Sequence, residues 1–248
     1  MEDFKLYGVK IDNVTVDEAV YRSLRDTGEP CMVFTPNALM LEACRRDAAL
    51  ADLLNRASLS LADGAGVVMA AQKMGTPLFE RVAGIDFGAA LLARAACADL
   101  RVFLLGGGEG VAERAAQNLL KKYPRLCFCG TSWGYFDKNG EENKRLISHI
   151  RACRPHILFV CMGFPVQERW VIDNLHHLTD IRTIACLGGS LDVWAGDVRR
   201  APAWMSRAGM EWLWRMLHQP KRFAHLPKIL SFLWHVPQNE DLTAQNPL

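Results

Sequence analysis

The chain has 248 residues, 50% of them hydrophobic and 23% charged, which is close to average soluble usage and enough to bury a sizeable core. That balance excludes disordered, collagen-like and disulfide-scaffold classes, and a prior of roughly 150 residues per domain allows one large domain or one domain with an appendage. The net charge of +2 conceals an asymmetry: Arg199 to Lys228 holds seven Lys/Arg against the single acid Glu211, a local +6, while residues 1–198 carry −2. A mildly acidic body with a basic, tryptophan-bearing tail points to an anionic partner, either membrane headgroups or phosphates.

Short apolar runs alternate with longer helical patterns, the signature of β-α units on a mainly parallel sheet. The spacing predicts strands at FKLYGVKI, CMVFT, SLSLA, RVFLL, RLCFCGT, HILFVCM and RTIACLG. Thr15-Val16-Asp17-Glu18 reads as a capping box opening the helix VDEAVYRSLRD, which Gly28 is expected to end. Further helices are expected across ALMLEACRR with DAALADLLNRA, GVVMAAQKM, IDFGAALLARAAC, VAERAAQNLLKKY, EENKRLISHIRAC and VQERWVIDNLHHL. The alternation stops near residue 198, after which Pro202, Pro220 and Pro227 punctuate two or three short amphipathic helices. The expected organisation is therefore a Rossmann-like α/β core over 1–198, its sheet flanked by helices, and a small basic helical appendage over 199–248.

The eight cysteines form no C-x-x-C pair and most fall in apolar runs, so they read as buried thiols in a reducing compartment. No apolar run approaches the roughly 20 residues of a membrane-spanning helix, and MEDFKLYGVKID lacks the basic and apolar regions of a signal peptide. A cytoplasmic protein with at most peripheral membrane contact is expected.

Several strand ends carry groups suited to chemistry. Thr35-Pro36-Asn37 follows CMVF, where hydroxyl and amide suit sugar hydroxyls, or equally an Asn-capped turn. Asp63 ends SLSLA just before a helix; carboxyl ends of strands face the ligand crevice in open α/β sheets, so Asp63 is either a general base or an N-cap. The loop of Gly106, Gly107 and Gly108 joins RVFLL to a helix whose free N–H groups suit a phosphate or nucleobase carbonyl, or it is merely a tight turn. Arg81 with Asp86, and Gln167 with Glu168, lie in glycine-bearing loops entering helices, where they bind a nucleotide-sugar diphosphate or form salt bridges and caps. Ser190 and Asp192 repeat the strand-end logic after RTIACL, with Asp192 suited to a ribose hydroxyl or to a turn cap.

Absences narrow the chemistry. The sequence has no D-x-D pair and no H-x-x-x-H or H-E-x-x-H, so no bound metal and no cofactor are expected. Trp204, Trp212, Trp214 and Trp234 interleave with basic residues in the tail, as in helices that lie in a bilayer interface. Packing of those faces on the core is the plain alternative, and single-stranded nucleic acid is a third and disfavoured partner.

Seven motifs in order carry a resemblance: TPN at 35–37, ADGAGV at 62–67, RVAGIDF at 81–87, LGGG at 105–108, GFPVQERW at 163–170, GGSLDVWAGDVRRAPAWM at 188–205 and GMEWLWRMLHQPKRF at 209–223. Together they resemble the WecG/TagA/CpsF glycosyltransferases, glycosyltransferase family 26, over nearly the whole chain. The resemblance implies an inverting, metal-independent transfer from a UDP-sugar to a polyprenyl-diphosphate-linked acceptor at the inner face of the cell membrane. In the wall teichoic acid branch the donor is UDP-N-acetylmannosamine, the acceptor undecaprenyl-diphosphate-linked N-acetylglucosamine and the linkage β-1,4. N-acetylmannosaminuronic acid or glucose, in capsule, exopolysaccharide or common-antigen assembly, is the alternative donor class.

Carried onto this sequence, the resemblance makes Asp63 the general base, Thr35 and Asn37 acceptor-pocket residues and Gln167 a polar pocket residue, and it places Arg81 in the matching R-x-x-G-x-D loop. The basic appendage would reach over the site and touch the membrane, with Arg215 and Arg222 as diphosphate contacts and Arg199, Arg200 and Arg207 beside them. An exposed aromatic tail also makes a homo-oligomer an expectation. An NAD(P)-dependent oxidoreductase built on the Gly106 loop, disfavoured by its glycine spacing, and a non-catalytic membrane scaffold are the rival classes.

Overall fold

A computed structural model describes residues 4–202, 204–205, 209–218, 223–224 and 226–236. FKLYGVKI, expected as one strand, is a hairpin of β1 (Phe4–Leu6) and β2 (Val9–Ile11), paired antiparallel outside the main sheet. The break lies at Tyr7-Gly8, where both residues take positive φ, the geometry of a two-residue turn whose twist matches the strands. Phe4, Leu6, Val9 and Ile11 are buried while Lys5 and Lys10 face out, so the pair still has one apolar face.

The other six expected strands form one parallel sheet. They are β3 (Cys31–Phe34), β4 (Leu59–Ser60), β5 (Arg101–Gly106), β6 (Cys127–Ser132), β7 (Ile157–Cys161) and β8 (Thr183–Cys186), in the order β4-β3-β8-β7-β5-β6. Alternate residues enter opposite cores: Phe34, Phe103, Leu105, Val160 and Ile184 on one face, Val33, Leu104, Phe159 and Ala185 on the other. Apolar runs such as ILFVC are thus buried on both sides, as a helix-covered parallel sheet requires. The fold is the expected Rossmann-like α/β sandwich.

The covering helices are α1 (Val16–Ser23), α2 (Ala38–Arg46), α3 (Ala48–Leu54), α4 (Ala65–Lys73), α5 (Gly84–Cys97), α6 (Val111–Lys122), α7 (Glu141–Cys153), α8 (Val166–Asn174) and α9 (Ser190–Ala195). Thr15 caps α1 by accepting from the Glu18 N–H at 3.2 Å. The box is half-formed, because the Glu18 carboxylate turns to Arg22 and Glu80 accepts from the Val16 N–H instead. Nor does Gly28 end the helix, which closes at Leu24 four residues earlier. His176 and His177, read on a helix surface, lie in a 3₁₀ turn (Leu175–His177).

The cysteine reading needs correction. Cys44, Cys161 and Cys186 are buried, but Cys97 and Cys127 are exposed, because each sits at an element end where the apolar run meets solvent.

Two tail helices are described, α10 (Glu211–His218) and α11 (Leu226–His235). Phe232 of α11 is fully buried in the same cluster as Phe34 and Leu41, and its ring meets Tyr7 edge-on at 6.2 Å. Burying a phenylalanine is worth about 2–3 kcal/mol, so α11 is held to α2 and the hairpin by packing. Trp204, Trp212 and Trp234 stay exposed. No helix among the described residues is long and apolar enough to cross a membrane.

Candidate active site

Parallel strands aim their carboxyl ends at one edge of the sheet, and a cavity of about 540 Å³ opens there beyond β3, β4, β7 and β8. Thr35, Asn37, Asp63, Gln167 and Ser190, all singled out in the sequence, line it. The β3 and β4 ends are laced together, Leu61 N–H to Phe34 carbonyl at 2.9 Å and Asp63 N–H to Pro36 carbonyl at 3.0 Å, which sets Asp63 beside the TPN turn. Gly64 takes the N-cap position of α4, so Asp63 is not the cap of that helix.

Asn37 has both of the roles weighed for it. Its Oδ1 caps α2 by accepting from Leu39 and Met40 N–H at 3.0 and 3.2 Å, which leaves the amide nitrogen as its donor for a ligand. The Thr35 hydroxyl donates to the Cys186 carbonyl at 3.1 Å, so it meets a ligand as an acceptor. A Cβ at Gly84 would stand 3.2 Å from the Thr35 methyl, and the glycine of R-x-x-G-x-D therefore lets α5 pack onto Thr35. That loop reaches the cavity through Ala83 and Ile85, not through its charges. Arg81 lies 3.9 Å from Glu211 of α10, and Asp86 pairs with Arg200 at 2.6 Å, so both charges tie the core to the tail segment.

Gly106, Gly107 and Gly108 stand one loop away from the cavity lining. A Cβ at Gly106 would fall 2.2 Å from the Cys161 carbonyl oxygen, and Gly134 donates to the Gly107 carbonyl at 2.9 Å. Gly106 and Gly107 take positive φ and leave no room for a side chain, as a tight strand-to-helix turn requires. Glu168 is fully buried behind Gln167 and does not line the cavity. Asp192, on α9, accepts through its backbone carbonyl from Asp197 and Val198 N–H. Arg199 is exposed and its carbonyl accepts from Trp214 Nε1 at 3.1 Å. Arg207 and Arg222 lie outside the described residues, as does the side chain of Arg215.

The family model of the glycosyl transferase WecG/TagA/CpsF family matches residues 4–245, from the hairpin through both tail helices. The chain belongs to that family. Relatives from Staphylococcus aureus strains MRSA252, MW2 and NCTC 8325 are each 31% identical over 235 residues, 93% of this chain and 91% of theirs. Each is named N-acetylglucosaminyldiphosphoundecaprenol N-acetyl-beta-D-mannosaminyltransferase. The chain is accordingly a transferase acting on a sugar donor.

Sequence reading missed one wall of the cavity, formed by Glu42 and Arg46 of α2 with Lys228 of α11. Glu42 is 1% exposed and accepts from Arg45 Nε at 3.0 Å, Arg46 Nη2 at 2.8 Å and Ser231 Oγ at 2.8 Å. The Arg45 hydrogen bonds, with Ser231 and Arg46, hold its carboxyl down at about 2 against the cost of burial. The available signal was a Glu-x-x-Arg-Arg run on the helix that Asn37 caps; the contact from Ser231, 189 residues away, had none.

Proposed function

We propose that this protein transfers N-acetylmannosamine from UDP-N-acetylmannosamine to undecaprenyl-diphosphate-linked N-acetylglucosamine, with inversion to a β-1,4 linkage and without a metal ion. The observation that carries the reading is the convergence of Asp63, Thr35, Asn37 and Gln167 on one cavity at the carboxyl ends of the strands. The printed names of the staphylococcal relatives support the donor sugar and the lipid-linked acceptor.

In this mechanism the Asp63 carboxylate takes the proton of the acceptor C4 hydroxyl as that oxygen attacks the donor anomeric carbon. The new C–O bond forms opposite the leaving group, the old one breaks, and its electron pair leaves on the UDP β-phosphate oxygen. Thr35 and Asn37 orient the acceptor sugar, so the reaction gains from positioning as well as from proton transfer. Lys228, Arg46 and the tail arginines Arg207, Arg215 and Arg222 supply positive charge for the diphosphates, the work that a metal does where a D-x-D pair is present. Residues 199–248 act as the appendage that closes over the lipid-linked substrate and rests on anionic headgroups.

The test is product analysis with UDP-N-acetylmannosamine and a short-chain lipid diphosphate N-acetylglucosamine, in EDTA. A β-1,4-linked disaccharide lipid formed at an undiminished rate is expected. An active enzyme that uses only another UDP-sugar would overturn the donor, and loss of activity in EDTA would overturn metal independence.

A further inference from the structure

Glu168 is the buried acid that this mechanism leaves unused. It is 0% exposed, no Lys or Arg among the described residues pairs with it, and its Oε2 has no hydrogen-bond partner. Burial pushes its carboxyl up to about 7, so the group costs stability where an apolar side chain would pack. Its side-chain hydrogen bond to Gln167 is informative. Glu168 Oε1 accepts from Gln167 Nε2 at 2.7 Å, and Gln167 Oε1 accepts from the backbone N–H groups of Gly163 at 3.2 Å and Gly188 at 3.0 Å.

Those two glycines belong to different turns, one after β7 and one after β8, and both turns line the cavity through Phe164, Gly188 and Ser190. All three contacts agree on one orientation of the Gln167 amide. Reversed, its NH₂ would face two N–H donors and its oxygen would face a carboxylate. An ionised carboxylate at Glu168 can only accept and so selects the bridging orientation, while a protonated carboxyl or a glutamine there still offers an oxygen that accepts from the Gln167 amide.

We propose that Glu168 is a positioning residue: acting through Gln167, it fixes the amide so that the turns after β7 and β8 are tied together and one wall of the cavity keeps its shape. The inference deepens the transferase reading and, in its kinetic arm only, rests on it.

The test compares Glu168→Gln, which keeps an acceptor, with Glu168→Leu, which does not, in the full-length protein. The readouts are the ¹⁵N–¹H resonances of Gly163, Gly188 and the Gln167 amide, and steady-state turnover. Glu168→Leu is expected to shift those resonances and lower kcat by more than about tenfold, the scale of small misplacements in an active site. Glu168→Gln is expected to keep the two glycine resonances and most of kcat. If Glu168→Leu does not fold, Glu168→Asp, which withdraws the acceptor by one methylene, takes its place with the same expected losses.

Unmoved glycine resonances in Glu168→Leu, wild-type kcat in that variant, or equal losses in Glu168→Gln would each overturn the proposal. Should the wild-type protein transfer no sugar from any donor, the transferase reading fails, while the glycine resonances still decide the clamp.

Discussion

Glu42 and Glu168 are both buried carboxylates, and their surroundings push them in opposite directions. Hydrogen bonds from Arg45 above all lower Glu42 from 4.5 to about 2, whereas desolvation raises Glu168 from 4.5 to about 7. Linkage then gives opposite signs. The stabilisation from ionised Glu42 is complete above pH 4.5 and is lost as pH falls toward 2, so Glu42→Gln should flatten the acid decline of Tm. For Glu168 the folded state holds the proton more tightly, so its contribution is complete below pH 4.5 and is lost as pH rises to 7. Glu168→Gln mimics the protonated form and should gain Tm relative to wild type between pH 5 and pH 8. Thermal melts from pH 2 to pH 8 check both, and a Tm difference independent of pH would contradict either sign. Glu42→Ala, which strips a buried acceptor from Arg45, Arg46 and Ser231, should cost about 2 kcal/mol in denaturant unfolding.

Among the elements, α11 joins distant parts of the chain. Phe232 packs in the core beside Tyr7, and Ser231 bonds Glu42, so Phe232→Ala should cost about 3–5 kcal/mol and open the tail to proteolysis. A tail cleaved no faster than in wild type would show that other contacts hold it. These contacts explain what sequence reading could reach. Strands and helices followed from period and run length, and Thr35, Asn37 and Asp63 from their place at strand ends, a rule of the fold. Pairings between distant segments have no local signal. Arg81 with Glu211, Asp86 with Arg200, and Glu42 with Ser231 therefore emerged only in three dimensions. The hairpin break has a local signal in Tyr7-Gly8, but the apolar alternation continues on both sides of it and reads as one strand.

At the scale of the molecule, the cavity wall carrying Lys228 and the exposed Trp204, Trp212 and Trp234 belong to the same basic segment. A docking role for that segment predicts cosedimentation with phosphatidylglycerol vesicles that weakens with salt and with Trp212→Ser/Trp234→Ser. Equal retention of the variant and wild type would count against it. The central claim, however, is glycosyl transfer with Asp63 as base. The most direct measurement is UDP release from UDP-N-acetylmannosamine with and without the lipid diphosphate N-acetylglucosamine, for wild type and Asp63→Asn, beside calorimetric donor binding. The account predicts acceptor-dependent release that falls by about 10²-fold or more in Asp63→Asn, the usual worth of a general base, with donor affinity unchanged. Undiminished acceptor-dependent release in that variant would contradict it.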